Sequence, residues 1–268
     1  MQDLLSIARE AALEAGAGIM RIYTDPSQDF GIEKKSDNSP LTIADKAAHL
    51  CIMRHLQHTG IPVLSEEGRH QPYAERRSWR RLWIVDPLDG TKEFIRRNGD
   101  FTVNIALVED GIPVMGVIYI PVTDTLYYGI VGEGAWKETH SALHLAGSAS
   151  MIESLPIEKE LVEGLENEPF VVVASRSHMS PETESYIEEI RRLHSDVQLV
   201  SRGSSIKICL VAEGTADAYP RFAPTMEWDT AAGDAIARAA GRKVLNVQTG
   251  QPLIYNKEDL HNPWFLVE

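Results

Sequence analysis

The amino-acid sequence predicts a mixed α/β (α+β) fold whose two halves are built differently, and three patterns carry that reading. Leu4, Leu5, Ala8, Ala12, Ala15 and Ile19, and then Ala44, Ala48, Cys51, Ile52 and Leu56, recur at helical spacing. Residues 102–108, 112–120 and 125–131 are apolar runs separated by Asp110-Gly111 and by Gly132-Glu133-Gly134, the signature of an antiparallel meander. Beyond residue 170 strand-like and helix-like stretches alternate, an α/β rhythm.

Taken in order, the first helix ends before Asp25-Pro26, and the second opens at Thr42, where Thr42 and Asp45 fit a capping box. Gly60 and Pro62 close it. A short strand over 61–64 delivers Ser65-Glu66-Glu67 to a loop. A second strand, 82–85, runs into Asp86-Pro87-Leu88-Asp89-Gly90-Thr91, where Pro87 lacks the N–H a ladder needs and is expected to stop it. Gly90 opens a backbone path closed to other residues, and a helical turn over 92–95 follows. Residues 141–168 are weakly patterned and acidic, so a domain boundary is expected there: 1–145 as an N-terminal α+β domain and 146–268 as a C-terminal α/β domain. The second half reads as strand 170–174, a helix from Ser180-Pro181 to about 193, strand 197–200, a helix over 204–213 and strand 216–219. An Ala-rich helix opening at Asp229 and stopped at Gly241 follows, then strands 243–247, 252–255 and 264–267.

Composition narrows the function. With 268 residues, 43% of them hydrophobic, the chain has ample core, and a net charge of −13 argues against a nucleic-acid duplex or an anionic membrane surface as main partner. Cys51 and Cys209 sit in helix-like apolar settings and read as reduced core residues. Asp3, Arg9, Glu10 and Glu14 interrupt the N-terminal apolar pattern, unlike a signal peptide, and no apolar run reaches membrane-spanning length. A cytoplasmic protein is expected.

The chemistry gathers where apolar strands end in acids. Asp86 and Asp89 are forced close, and two like charges a few ångströms apart are commonly compensated by a hard divalent cation, although an Asx-type turn would also use them. Alone, Asp229 reads as a helix N-cap, Glu66 as a solvated loop acid and Asp45 as half of a capping box. Together, Glu66, Asp86, Asp89 and Asp229 make an oxygen-rich set suited to Mg²⁺, to which Leu88 could add its carbonyl. The N–H groups of Gly90 and Thr91 could hold a phosphate. No cysteine, serine triad or histidine pair competes as nucleophile, so the reading is a metal-dependent phosphatase using metal-activated water.

Two stretches, Trp83-Ile84-Val85-Asp86-Pro87-Leu88-Asp89-Gly90-Thr91 and Trp228-Asp229-Thr230-Ala231-Ala232-Gly233, resemble the hallmarks of the inositol monophosphatase-like, Mg²⁺-dependent, lithium-sensitive phosphatases, and the resemblance spans essentially the whole chain. It is closest to the bacterial 3'(2'),5'-bisphosphate nucleotidase branch, through Leu64-Ser65-Glu66-Glu67, Asp89-Gly90-Thr91-Lys92-Glu93-Phe94-Ile95, Ser175-Arg176-Ser177-His178, Gly203-Ser204-Ser205-Ile206-Lys207 and Tyr219-Pro220-Arg221. The resemblance implies a layered α/β/α/β/α sandwich of the inositol monophosphatase and fructose-1,6-bisphosphatase type. It implies two or three Mg²⁺ held by Glu66, Asp86, the Leu88 carbonyl, Asp89 and Asp229, with Thr91 and Asp45 orienting the nucleophilic water, a role that displaces capping for Asp45. Implied substrate contacts are Glu66, Gly90, Thr91, His178, Ser204, Lys207, Arg221 and Asp229.

Arg221 decides the expected substrate. The matching position of inositol monophosphatases is typically acidic and takes hydroxyls, so a cation there, joined by Lys207, prefers a second phosphate. The expected reaction is removal of the 3'-phosphate of adenosine 3',5'-bisphosphate, with the 3'-phosphorylated adenylyl sulfate as a further substrate and a place in sulfate assimilation. The alternatives are an inositol or sugar monophosphatase and, from another class, a non-catalytic metal- and nucleotide-binding regulator. A peripheral place on the inner face of the membrane and the oligomeric state are left open.

Overall fold

The computed structural model describes residues 1–34, 39–69, 71–139, 153–154, 169–175 and 179–268. In chain order the elements are α1 (Gln2–Thr24), β1 (Glu33–Lys34), β2 (Pro40–Leu41), α2 (Ile43–Leu56), β3 (Val63–Ser65), α3 (Tyr73–Arg76), β4 (Arg81–Asp89), α4 (Thr91–Ile95), β5 (Thr102–Glu109), β6 (Ile112–Ile120), β7 (Thr125–Ile130), β8 (Gly134–Thr139) and β9 (Glu153–Ser154). The second half contributes β10 (Phe170–Ser175), α5 (Pro181–Leu193), β11 (Val197–Arg202), α6 (Ile206–Ala212), β12 (Tyr219–Arg221), α7 (Glu227–Ala239), β13 (Val244–Asn246) and β14 (Phe265–Val267).

β3 to β9 form one seven-stranded sheet in sequence order, parallel only between β3 and β4. The period of two along β4 sets its two faces. Trp83 and Val85 pack with α1 and α2, while Leu82 and Ile84 pack with α6 and α7. Behind α6 and α7 lies a second sheet, the parallel pair β10–β11 and the antiparallel β12–β14–β13, joined by a bridge between Val172 and Ala218. α5 covers its far face through Ile187 and Ile190 on Val172. The order is therefore helices, sheet, helices, sheet, helix, and residues from both halves share one core. The expected domain boundary at 145 lies outside the described residues.

α7 reaches the large sheet because small residues let backbones touch. A Cβ on Gly116 of β6 would lie 2.1 Å from the Ala232 carbonyl oxygen, so only glycine permits this approach. That seat carries the start of α7, and with it Asp229, to the end of β4.

Three expectations need correcting. Pro87 does not end β4: the strand runs on to Asp89, with Asp86 paired to Asn104 and Asp89 to Thr102, so the ladder shifts register and Pro87 sits in the irregular stretch, where no ladder N–H is required. Asp229 is not an N-cap. α7 begins at Glu227, and Asp229 in its first turn accepts a 2.8 Å hydrogen bond from the Met226 N–H. Residues 252–255 form no strand, since the Tyr255 N–H goes to the Gly111 carbonyl at 3.0 Å and Leu253 to Val244 at 3.3 Å.

Candidate active site

The irregular end of β4, the tip of β3, the loop before α6, β12 and the first turn of α7 surround one cavity of about 330 Å³. Glu66, Asp89, Gly90, Thr91, Ser204, Lys207, Arg221 and Asp229 all line it. Asp86 lies just beneath, 1% exposed, and offers a carboxylate oxygen that lies with one from Asp89 and one from Asp229 in a group all within 4.8 Å of one another. His178 lies outside the described residues.

The local backbone explains the convergence. Gly90 adopts φ +95°, and a Cβ there would meet the Asp100 carbonyl oxygen at 2.9 Å, so the turn that follows Asp89 needs glycine. That turn starts α4 at Thr91, whose Oγ1 donates to Asp45 Oδ1 at 2.9 Å and lies 3.3 Å from the Leu88 carbonyl oxygen. Asp45 uses its other oxygen for α2: Oδ2 accepts from the Thr42 N–H at 2.7 Å and from the Thr42 hydroxyl, while Thr42 Oγ1 accepts from the Ala44 N–H. Capping and pairing with Thr91 therefore coexist, one on each oxygen, and are not alternatives. The cap fixes the rotamer that presents Oδ1 to Thr91, and caps of this kind contribute about 1 kcal/mol.

Asp89 is held by donors from two other segments. Its Oδ2 accepts from Ser204 Oγ at 2.6 Å, from the Ser205 N–H and Oγ at 2.7 Å each, and more weakly from Asn104 Nδ2 at 3.4 Å. Ser205 Oγ also lies 2.7 Å from the Asp229 carbonyl oxygen and 2.9 Å from Asn104 Nδ2, tying β4, β5, α6 and α7 into one polar knot. The sequence reading passed over Ser205 and Asn104. Thr102 and Asn104, polar at alternate positions of an otherwise apolar strand, were the available signal, because they mark the face turned toward the strand-end acids.

The electrostatics of this wall are unbalanced. Burial pushes the Asp86 carboxyl well above the usual carboxylate range, and the charges of Glu66, Asp89 and Asp229 push it further. Asp229 is likewise raised by burial, then by Asp89 and Glu66, against the Met226 N–H and Arg221, which lower it. Such a wall of oxygen donors fits a hard divalent cation, which would restore the ionised forms.

The facing wall is cationic. Lys207 is 4% exposed, donates to the Ser204 carbonyl and lies 5.3 Å from the Tyr219 ring centroid. Burial pulls its pKa down to about 8, Asp89 pulling it back up and Arg221 pressing it lower. Arg221 donates from Nη2 to the Pro224 carbonyl at 3.1 Å, and its buried Nε has no hydrogen-bond partner among the described residues.

Comparison with known proteins points the same way as this geometry. Residues 1–264 match the model of the inositol monophosphatase family. The chain is 45% identical over 261 residues to the 3'(2'),5'-bisphosphate nucleotidase CysQ of Shigella flexneri and 44% identical to that of Escherichia coli K12, in each case over 96% of both chains. The crystal structure of CysQ from Bacteroides thetaiotaomicron, described as a bacterial member of the inositol monophosphatase family, is 55% identical and superposes with a TM-score of 0.88 over 100% of this chain and 97% of that one. The extragenic suppressor protein suhB of Bartonella henselae is 26% identical, with a TM-score of 0.73 over 99% of this chain and 93% of that one.

Proposed function

We propose, from the premise that the chain belongs to the inositol monophosphatase family, that its cavity is the active site of a 3'(2'),5'-bisphosphate nucleotidase, removing the 3'-phosphate of adenosine 3',5'-bisphosphate to leave AMP and phosphate. The observation that carries this reading is the pairing of the two walls: carboxylates that can hold cations against one phosphate, and Lys207 with Arg221 across the same cavity for the other.

Asp86, Asp89 and Asp229 would hold the metal, with Glu66 and the Leu88 carbonyl completing the oxygen set, and two or three Mg²⁺ are the proposed occupants. When bound, the metal supplies positive charge that acidifies a water and offsets the charge of the cleaved phosphate. Thr91 donates its hydroxyl hydrogen bond to Asp45 Oδ1, which leaves an Oγ1 lone pair to accept a hydrogen bond from the attacking water and so to aim it. The Thr42 cap keeps Asp45 from turning away. Ser204 spends its hydroxyl proton on Asp89, so in this proposal it holds the acid rather than the substrate, while Gly90 lets the backbone approach the phosphate. Arg221 Nε and the Lys207 ammonium take the phosphate that is not cleaved. His178 stays a proposed phosphate contact on the sequence alone, as lithium sensitivity does.

A cytoplasmic setting belongs to the proposal and attachment to a membrane face does not; no helix of the described residues is long and apolar enough to cross a membrane. Phosphate release with Mg²⁺ from adenosine 3',5'-bisphosphate, inositol 1-phosphate and fructose 1,6-bisphosphate tests the assignment. The nucleotide should lead in kcat/KM by at least about tenfold, a margin of 1.4 kcal/mol. Inositol 1-phosphate turned over equally well would overturn the assignment in favour of the monophosphatase reading.

A further inference from the structure

A second group of metal-ligating side chains lies away from the cavity, where α1 crosses α2. Glu14 comes from α1, Cys51 and His55 from one face of α2 four residues apart, and a ligand atom from each lies within 4.8 Å of the others. His55 Nε2 and Glu14 Oε2 are 2.7 Å apart, and Arg54 Nη2 donates to Glu14 Oε1 at 2.9 Å. A surface cavity of about 410 Å³, lined by Ile7, Glu14, Arg54, His55 and His58, opens on Glu14 and His55, with Cys51 buried behind them.

We infer that Glu14, Cys51 and His55 form a second cation site of a different class from the catalytic one, selective for a borderline-soft divalent ion such as Zn²⁺. The donor set decides the class. A thiolate, an imidazole and a carboxylate suit Zn²⁺, whereas Mg²⁺ takes only oxygens and is no competitor here. Three protein ligands with a fourth position facing solvent is a common zinc arrangement. A tetrahedral site needs donor atoms about 3.5 Å apart, given bonds of roughly 2.0–2.3 Å. No pair therefore has to close by more than about 1.3 Å, while the His55–Glu14 pair, now 2.7 Å apart, has to open.

Binding balances simply. Cys51 releases its thiol proton to solvent and its sulfur forms the bond to the metal. His55 shifts the proton that its Nε2 donates to Glu14 onto Nδ1 and gives the freed Nε2 lone pair, and Glu14 gives a carboxylate oxygen in place of its contact with His55. No redox change is involved. Arg54 opposes the cation and is hydrogen-bonded to both Glu14 and Cys51, so it has to leave them and swing into the water to which its side chain is 67% exposed. Because Asp45 stands six residues before Cys51 on α2, about 9 Å along the axis, a metal linking α1 to α2 would brace the helix that carries Asp45.

The test titrates Co²⁺ into the full-length protein held in saturating Mg²⁺ and a non-thiol reductant, following the near-ultraviolet charge-transfer band that only a cobalt–thiolate bond gives. Wild type should develop the band and lose it to Zn²⁺, Cys51→Ser should lack it, and Glu14→Gln, a change at an exposed residue that leaves the fold alone, should weaken Co²⁺ binding at least about tenfold. Arg54→Ala should tighten it. Absence of the band in wild type, its survival in Cys51→Ser, or equal affinity in wild type and Glu14→Gln would each overturn the site. None of these readouts depends on turnover, so failure here leaves the nucleotidase reading standing.

Discussion

The two walls of the cavity are built on opposite plans. On the acid wall the carboxylates are already held by hydrogen-bond donors: Asp45 by Thr42 and Thr91, Asp89 by Ser204 and Ser205, Asp86 by the Leu88 N–H and Asp229 by the Met226 N–H. On the cation wall Lys207 has one carbonyl, and Arg221 has one carbonyl and a buried Nε left over. An acid wall fixed before any ligand arrives is suited to chemistry that tolerates little misplacement. A cation wall with unspent donors is suited to recognition, since a buried donor without a partner costs about 1–3 kcal/mol that an arriving phosphate recovers.

The largest effect should come from breaking the acid wall at its most buried member. Asp86→Asn should lower kcat at least about a thousandfold, roughly 4 kcal/mol in the transition state, while circular dichroism shows an intact fold. The same variant separates catalysis from stability. Asp86 has a carboxyl pKa raised by folding, so in metal-free protein its contribution is fully present below the unfolded carboxylate value and is lost as pH rises through the raised one. Metal-free Asp86→Asn should therefore melt no lower than wild type at neutral pH, and a lower Tm there would show that Asp86 is structural.

Thr91→Ala should follow, with kcat down about a hundredfold and KM changed less than about threefold, because the hydroxyl serves the attacking water and not the bound substrate. Asp45→Asn should match it in kcat and in addition lower Tm, since Asp45 also caps α2. A change confined to KM would remove Thr91 from the water. Ser205→Ala removes one charge-assisted bond to Asp89, and a kcat loss of about tenfold or more is expected, with the substrate ratio of the cation wall untouched.

The smallest effect is the sharpest probe of the other wall. Burial lowers the Lys207 pKa to about 8, so its charge is present below that value and lost above it. A metal cation opposite would lower the value further and leave the direction unchanged. The preference for bisphosphate over monophosphate should decline severalfold as pH rises, with its midpoint no higher than about 8, and Lys207→Met should flatten that profile. A parallel decline for both substrates would place the titrating group elsewhere.

Asp45 and Thr91 were legible as residues, because a capping box and a strand-end hydroxyl are local patterns. Their joint action came only through the family resemblance and not from local pattern, since the Thr91–Asp45 bond depends on how α2 lies beside the end of β4. Ser205 and Asn104 were missed for the same reason: their partner, Asp89, is 116 and 15 positions away in the chain. β8 escaped because its alternation is broken by Glu138, a charge that is 7% exposed and held by a paired contact with Arg9 at 2.7 Å and by the Tyr128 hydroxyl. Residues 252–255 failed in the other direction. Leu253 and Tyr255 are buried and Ile254 is 61% exposed, the alternation of a strand, but their backbone bonds go to separate segments.

The most direct trial of the division between the walls is the ratio of kcat/KM for adenosine 3',5'-bisphosphate to that for inositol 1-phosphate, compared between wild type and Arg221→Glu. A charge-assisted contact to phosphate is worth roughly 1.5–3 kcal/mol, and each 1.4 kcal/mol is about tenfold. The ratio should fall at least tens-fold, with the inositol phosphate used no worse than before, since a carboxylate can accept its hydroxyls. An unchanged ratio, or an equal loss on both substrates, would contradict the assignment of substrate choice to the cation wall.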